Sequence, residues 1–273
     1  MIVLSPNGTK YNVKEGKIGQ TDIFSVYECT LPDGNVGMFK IAATVGYNGV
    51  LDREAYVLET MKEEAIAIEE KYKIKTEGKN SPLNNHFFFP KLVETFIADD
   101  QDKRRVSIFN FLHIAEKLSQ LMPLSFLSRD KVRVDPKTSA WILGKLLKLL
   151  VFTHGQGIII GEISAENILI EKNEHYVCIF NWTEAIVTGE EISGKTASEE
   201  ISQVAKIAIS ILGGSKDGTL PKDEQLADDQ YENFLKHLLS GKVDDAYEAH
   251  QKFYELIRSI WPRGYHEFTT KIF

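Results

Sequence analysis

Between Ser139 and Thr153 the chain carries Trp141, Ile142, Leu146, Leu149, Leu150 and Phe152, which cover a helix on nearly every side instead of along one stripe. A surface helix cannot be built this way without exposing apolar area to water. The segment must therefore run through the middle of a core that other elements supply. Neither it nor any other run approaches the ~18 apolar residues needed to cross a bilayer, so a membrane-spanning role is not expected. A chain of 273 residues is long enough for one large domain or two intimate lobes around such a helix.

The surroundings differ on the two sides of it. From Ile2 to about residue 45 apolar and polar residues alternate, as in Ser25-Val26-Tyr27-Glu28-Cys29 and Val36-Gly37-Met38-Phe39-Lys40, with Pro32-Asp33-Gly34-Asn35 between them as a hairpin turn whose Gly and Asn accept positive φ. Asp52 to about Tyr72 has helical spacing in Ala55, Leu58, Met61, Ala65 and Ile68, and an Asp start signal. Lys91–Ala98 and Arg105–Leu112 read as two further strands around the charged turn 99–102. The fold class is α+β: an N-terminal antiparallel five-stranded sheet with one helix over 1–112, then a mainly helical region over 113–273. Within the helical region a pair of short strands, Asn167–Glu171 and Tyr176–Phe180, flanks a turn. Helices follow over Glu199–Leu212, Asp229–Leu239 and Asp244–Ile260, closed by Gly213-Gly214, Gly241 and Pro262.

Composition removes several functions. A net charge of −7 opposes attraction to a nucleic-acid backbone, and Lys103-Arg104-Arg105 beside Asp99, Asp100 and Asp102 reads as a solvated turn. Cys29 and Cys178 have neither disulfide-framework nor zinc-ligand spacing and read as apolar filler. The start, Met1 to Pro6, has no basic region and no long apolar stretch, so no secretory signal is expected and a cytoplasmic location follows as the default.

Several segments then fall in an order that carries chemistry. Gly19-Gln20-Thr21-Asp22-Ile23-Phe24-Ser25-Val26 is similar to G-x-G-x-x-G-x-V, and Gly37-Met38-Phe39-Lys40 to V-A-I-K. Glu54-Ala55-Tyr56-Val57-Leu58 matches E-x-x-x-L; Ile160-Gly161-Glu162 through Asn167 has the spacing of H-R-D-L-x-x-x-N; and Asn181-Trp182-Thr183 stands where D-F-G would. The chain resembles the protein-kinase-like superfamily over nearly its whole length, as a degenerate, pseudokinase-like member, with the Trp after Asn181 also similar to the aminoglycoside-phosphotransferase-like kinases.

The resemblance implies a bilobal fold and assigns roles. Gly19, Val26, Met38, Lys40, Asn167 and Asn181 would line a nucleotide site, Lys40 paired with Glu54; Glu162 would be the base; and Asn167 and Asn181 the metal ligands. It also marks the losses. Thr21 and Phe24 replace glycines that let backbone N–H groups approach phosphates, and Met38 replaces a small residue over the adenine. Ile160 and Gly161 replace the His and Arg that brace the loop, while Glu162 adds a methylene to the base. Asn181 lacks the charge a hard cation needs; at ~4 Å and an effective dielectric of ~20 such a charge pair is worth about 4 kcal/mol. Glu200 resembles the start of the helix that follows the activation segment, but A-P-E is absent. The resemblance thus implies an impaired kinase acting as a protein-binding or regulatory module, with ATP as a weak candidate ligand, Mg²⁺ weak or absent, and a protein partner. An atypical ATP-dependent phosphotransferase using Glu162, with Glu184 near the metal, is the alternative. The aromatics of Trp261–Phe268 are read mainly as tacking the tail onto the helical region, and otherwise as a partner surface.

Overall fold

The structure, a computed structural model, describes residues 1–221, 229–262, 264 and 266–272. By proximity the chain separates into two compact units, 1–120 with 181–185, and 121–180 with 186–273.

The first unit is a six-stranded antiparallel sheet and one long helix. Its strands are β1 (Ile2–Leu4), β2 (Lys10–Gln20), β3 (Phe24–Thr30), β4 (Val36–Ala42), β5 (Lys91–Ile97) and β6 (Arg105–Asn110), in spatial order β1-β2-β3-β4-β6-β5. The strand beyond the expected five is β1, which pairs with β2 from Ile2↔Asn12 to Leu4↔Lys10. Strand alternation makes two faces. One buries Tyr11, Val13, Cys29, Leu31, Phe39, Ile41, Phe96, Val106 and Ile108 as an apolar cluster. The other carries Phe24, Val26, Met38, Lys40, Ser107 and Phe109, all buried. In the β3–β4 turn only Gly34 takes positive φ, at 85°; Asn35 does not, and its N–H is held by Asp33 Oδ1 at 3.0 Å.

The helix α1 spans Asn48–Lys75, four residues earlier than Asp52 suggested. Its start is set by long-range contacts instead of a local cap: Asn48 Oδ1 accepts from Arg105 N at 2.7 Å and Asn48 Nδ2 donates to Lys103 O at 2.9 Å. Asp52 lies inside the helix and pairs with Arg105. Lys103 pairs with Asp99, and Arg104 Nε with Asp100 at 2.8 Å, so each cation of that cluster has a carboxylate beside it.

The second unit is built on the apolar helix, α3 (Pro136–Gly155), preceded by β7 (Leu121–Pro123), α2 (Phe126–Arg129) and β8 (Val132–Val134). Asp135 caps α3 by accepting from Lys137 N and Thr138 N, and Pro136 fills the first turn where no donor is needed. Leu143, Leu146, Leu147, Leu149 and Leu150 are buried, as an all-round apolar helix requires. Around it lie β9 (Ile158–Ile159), β10 (Ile168–Glu171), β11 (Tyr176–Ile179), β12 (Ile186–Val187), α4 (Gly194–Ile211), α5 (Asp229–Leu239), α6 (Ala246–Ile260) and β13 (Thr270–Ile272). Gly144 lets α6 come close, since a Cβ there would lie 2.7 Å from the Phe253 ring. The helix α4 begins five residues before the expected Glu199, where Gly194 N donates to Asp244 O at 3.0 Å. In the tail, Trp261 meets Tyr231 edge-on and Phe268 meets Trp141, while β13 pairs with β8; Arg263 and Tyr265 lie outside the described residues. Among the described residues no helix is long and apolar enough to cross a membrane.

Burial holds the His250 imidazole of α6 down at about 4, with the nearby Lys148 charge acting the same way. Burial likewise lowers His113 and His175. Such a ring stays neutral in the folded chain while the unfolded chain takes up its proton near 6.5. Stability is therefore complete above about pH 6.5 and falls as the pH drops toward about 4. Urea midpoints are expected to fall between pH 7 and pH 4.5, with His250 contributing about 1–2 kcal/mol after allowance for its partial solvent access. In H250F that share of the slope should be missing; an unchanged slope would exclude His250 as a source.

Candidate functional site

In the first unit the buried residues Lys40, Glu54 and Trp182 meet with Asn181. Lys40 and Glu54 are both fully buried, and Lys40 Nζ donates to Glu54 Oε1 at 2.7 Å. The ion pair expected from their order in the chain is present. Burial pulls the Lys40 ammonium below its ordinary pKa, while the carboxylate of Glu54 acts in the opposite direction. The same Glu54 oxygen accepts from Trp182 N at 2.9 Å, and Arg53 Nη2 donates to Thr183 O at 2.6 Å. Two adjacent residues of α1 thus hold the 181–185 segment by its backbone.

Asn181 Oδ1, the atom that would ligate a metal, accepts from Lys40 Nζ at 2.8 Å and from Thr183 N at 3.4 Å. Its lone pairs point at an ammonium and an amide. Above Lys40 lies an aromatic ring: Phe24 has its centroid 3.7 Å from Nζ. The sheet register explains this contact. Val26 is opposite Lys40, which makes Phe24 its diagonal neighbour on the same face. The distance is that of a cation–π interaction, strengthened by the exclusion of water.

The turn from Gln20 to Phe24 is closed from within. Thr21 Oγ1 accepts from Ile23 N and Phe24 N, each at 3.2 Å, and Thr21 N donates to Phe24 O at 2.9 Å. The amides that a glycine-rich turn would offer to a phosphate are paired with a hydroxyl of the same turn. Gly19 has an ordinary φ, and a Cβ on it would only touch Val26 at 3.7 Å, so this glycine is not demanded by packing or conformation. Met38 is buried on the Lys40 face, opposite Glu28 and Phe109.

The second unit contains Glu162 and Asn167. Glu162 is exposed, and its carbonyl accepts from Asn167 Nδ2 at 3.2 Å. The loop is braced by a residue that the motif pattern placed only at a helix start. Glu200, 2% exposed, accepts from Ile160 N and Gly161 N at 2.7 Å through one oxygen and from His154 Nε2 at 2.7 Å through the other. Gln203 extends the brace, accepting from Ile163 N at 2.7 Å and donating to Gly161 O at 3.0 Å. His154 supplies an imidazole beside the loop although Ile160 replaces the usual one. Glu184 is exposed, and no group of three His, Cys, Asp or Glu able to hold a metal occurs among the described residues.

Sequence reasoning placed Lys40, Glu54 and Asn181 but missed what encloses them. Phe24 and Thr21 count in the motif only as lost glycines, and the signal that they are also active occupants was the β3–β4 register, which puts Phe24 beside Lys40. His154 and Gln203 had no signal short of the fold itself.

No family model matches the chain, and no curated protein matches its sequence. Solved structures do. Rad53 residues 1–466, crystallised in complex with AMP-PNP, is similar with a TM-score of 0.59 over 88% of this chain, at 16% identity. The matched region spans 60% of that longer chain. It is one of 1780 matching chains, so the likeness concerns architecture and not close kinship. The antiparallel N-terminal sheet, the long helix beside it and the helical C-terminal region give this chain a protein-kinase-like fold.

Proposed function

We propose that this chain is a catalytically silent kinase-like module that serves as a protein-binding or regulatory domain, with nucleotide binding weak or absent. One observation carries the reading: the Lys40 ammonium, which would grip phosphates, lies between Glu54, the Asn181 amide and the Phe24 ring. A nucleotide would have to lift an aromatic ring off a buried cation and break the turn bonds to Thr21 before gaining a phosphate contact. Asn181 would bring no charge to a divalent ion. Glu162, at the base position, is exposed, and its backbone carbonyl accepts from Asn167 Nδ2.

At 5 mM ATP with Mg²⁺ or Mn²⁺, on the order of common assay conditions, the melting temperature is expected to move by less than about 1 °C, since stabilisation follows RT ln(1 + [L]/Kd). The double variant T21G/F24G should gain a metal-independent shift of about 2 °C or more by freeing both the turn amides and the ammonium. A shift of several degrees in the unaltered chain, with phosphate transfer lost in E162Q, would overturn the proposal. That result would support the second reading, an atypical ATP-dependent phosphotransferase, which the intact Lys40–Glu54 pair favours.

A further inference from the structure

The second unit contains a cleft of about 320 Å³ bounded by α3, α6, the β10–β11 turn and the tail. One face of α3 supplies Lys137, Trp141, Lys145 and Lys148 to it at helical spacing, so three ammonium groups and an indole share a wall. His175 and His266 complete the polar lining, and among the described residues no carboxylate lines it. In a chain of net charge −7 this concentration of cations is uneven.

Two features of the lining suit an anion. Lys145 is half-buried, and loss of water alone lowers its pKa, without a carboxylate to offset the cost; its Nζ lies 5.8 Å over the Tyr176 ring. Trp141 Nε1 is buried without a hydrogen-bond partner. Desolvated donors of this kind cost free energy until an acceptor arrives. His266 Nε2 is already hydrogen-bonded to Asp135 Oδ1 at 3.0 Å and burial lowers His175, so a desolvated charge of this lining lies at Lys145.

Aromatic rings also line the cleft. Trp141 and His175 stack at 4.5 Å with an interplanar angle of 6°, and Phe253, Tyr254 and Trp261 line the opposite side. Flat apolar walls with donors along one edge select a ring that carries negative charge, and the volume falls at the small end of ligand sites, about 300 Å³ and upward. We propose that this cleft binds a phosphate carried on an aromatic ring, the phosphate on Lys145 and its neighbouring lysines and the ring between Trp141 and the α6 aromatics. The ring can come from a free aryl phosphate or from a phosphotyrosine side chain, which share this chemistry.

Trp141 and Trp261, two of the chain's three tryptophans, report on occupancy by their fluorescence. Titration with phenyl phosphate should give saturable quenching, while inorganic phosphate and phenol, each lacking half of the ligand, should bind at least about tenfold more weakly. K145Q should weaken phenyl phosphate about tenfold without lowering the melting temperature, and K137Q, at an exposed position, should weaken it by a smaller factor. A phosphotyrosine hexapeptide binding more tightly than phenyl phosphate identifies a protein segment as the source; equal or weaker binding identifies a free aryl phosphate. Absence of saturation, inorganic phosphate binding as well as phenyl phosphate, or unchanged affinity in both lysine variants would overturn the proposal.

Discussion

Replacing Lys40 with methionine is expected to destabilise the first unit by about 3–5 kcal/mol, the cost of leaving a buried carboxylate without its cation. Glu54 has no exposed surface, and one of its oxygens, Oε2, is buried without a hydrogen-bond partner. Without Lys40 it would retain the Trp182 N–H on Oε1 but no positive charge. In a chain of this size each kcal/mol moves the melting temperature by about 2–4 °C, so a fall of about 6–20 °C should be seen by calorimetry. The double variant K40M/E54L removes both charges and should recover most of the loss, because apolar groups of similar volume can replace a buried ion pair at little cost. A Lys40 variant as stable as the unaltered chain would mean that the pair is not buried as described. A double variant no better than the single one would place the loss in the contacts to Asn181 and Phe24. K40M alone separates structural from catalytic importance: in the proposed silent module the lysine is kept for the pair it makes and for the 181–185 segment that Glu54 anchors.

The legible features of this fold were those determined by local periodicity. Alternation marked β3 and β4, and the all-round apolar segment read from Ser139 marked α3 as central; the helix itself starts three residues earlier, at Pro136, where Asp135 caps it. The starts of α1 and α4 were misplaced because distant groups set them: Arg105 and Lys103 hold Asn48, and Asp244 holds Gly194. The strand β1 was not separated from its neighbours, since three residues contain too little alternation to stand out. At the candidate site, order along the chain was enough to bring Lys40, Glu54 and Asn181 together, and their hydrogen bonds follow from that placement. It was not enough to find the occupants. Phe24 counted as an absent glycine in a motif, yet in the sheet it is a ring over an ammonium. That property exists only once register has paired Val26 with Lys40.

The same limit applies to the loop of the second unit, where loss of the Glu200 carboxylate is expected to cost about 3–5 kcal/mol. Motif reading found Ile160 and Gly161 unable to brace the loop by their side chains. The structure braces it from outside: a single buried carboxylate takes two backbone N–H groups and an imidazole, all at 2.7 Å. In E200A those two amides lose their acceptor, and His154, 3% exposed, loses the carboxylate at its Nε2 while its Nδ1 is already buried without a hydrogen-bond partner. E200Q keeps an oxygen that can accept from the amides but gives up the charge, so it should fall between E200A and the unaltered chain. Hydrogen exchange makes the test local. Amides 160 and 161 should lose protection in E200A by at least about tenfold more than those of β10, which is held by its own ladder to β11. Equal loss across both segments would show that Glu200 supports the whole unit instead of the loop. Unchanged protection at 160 and 161 would remove the brace altogether.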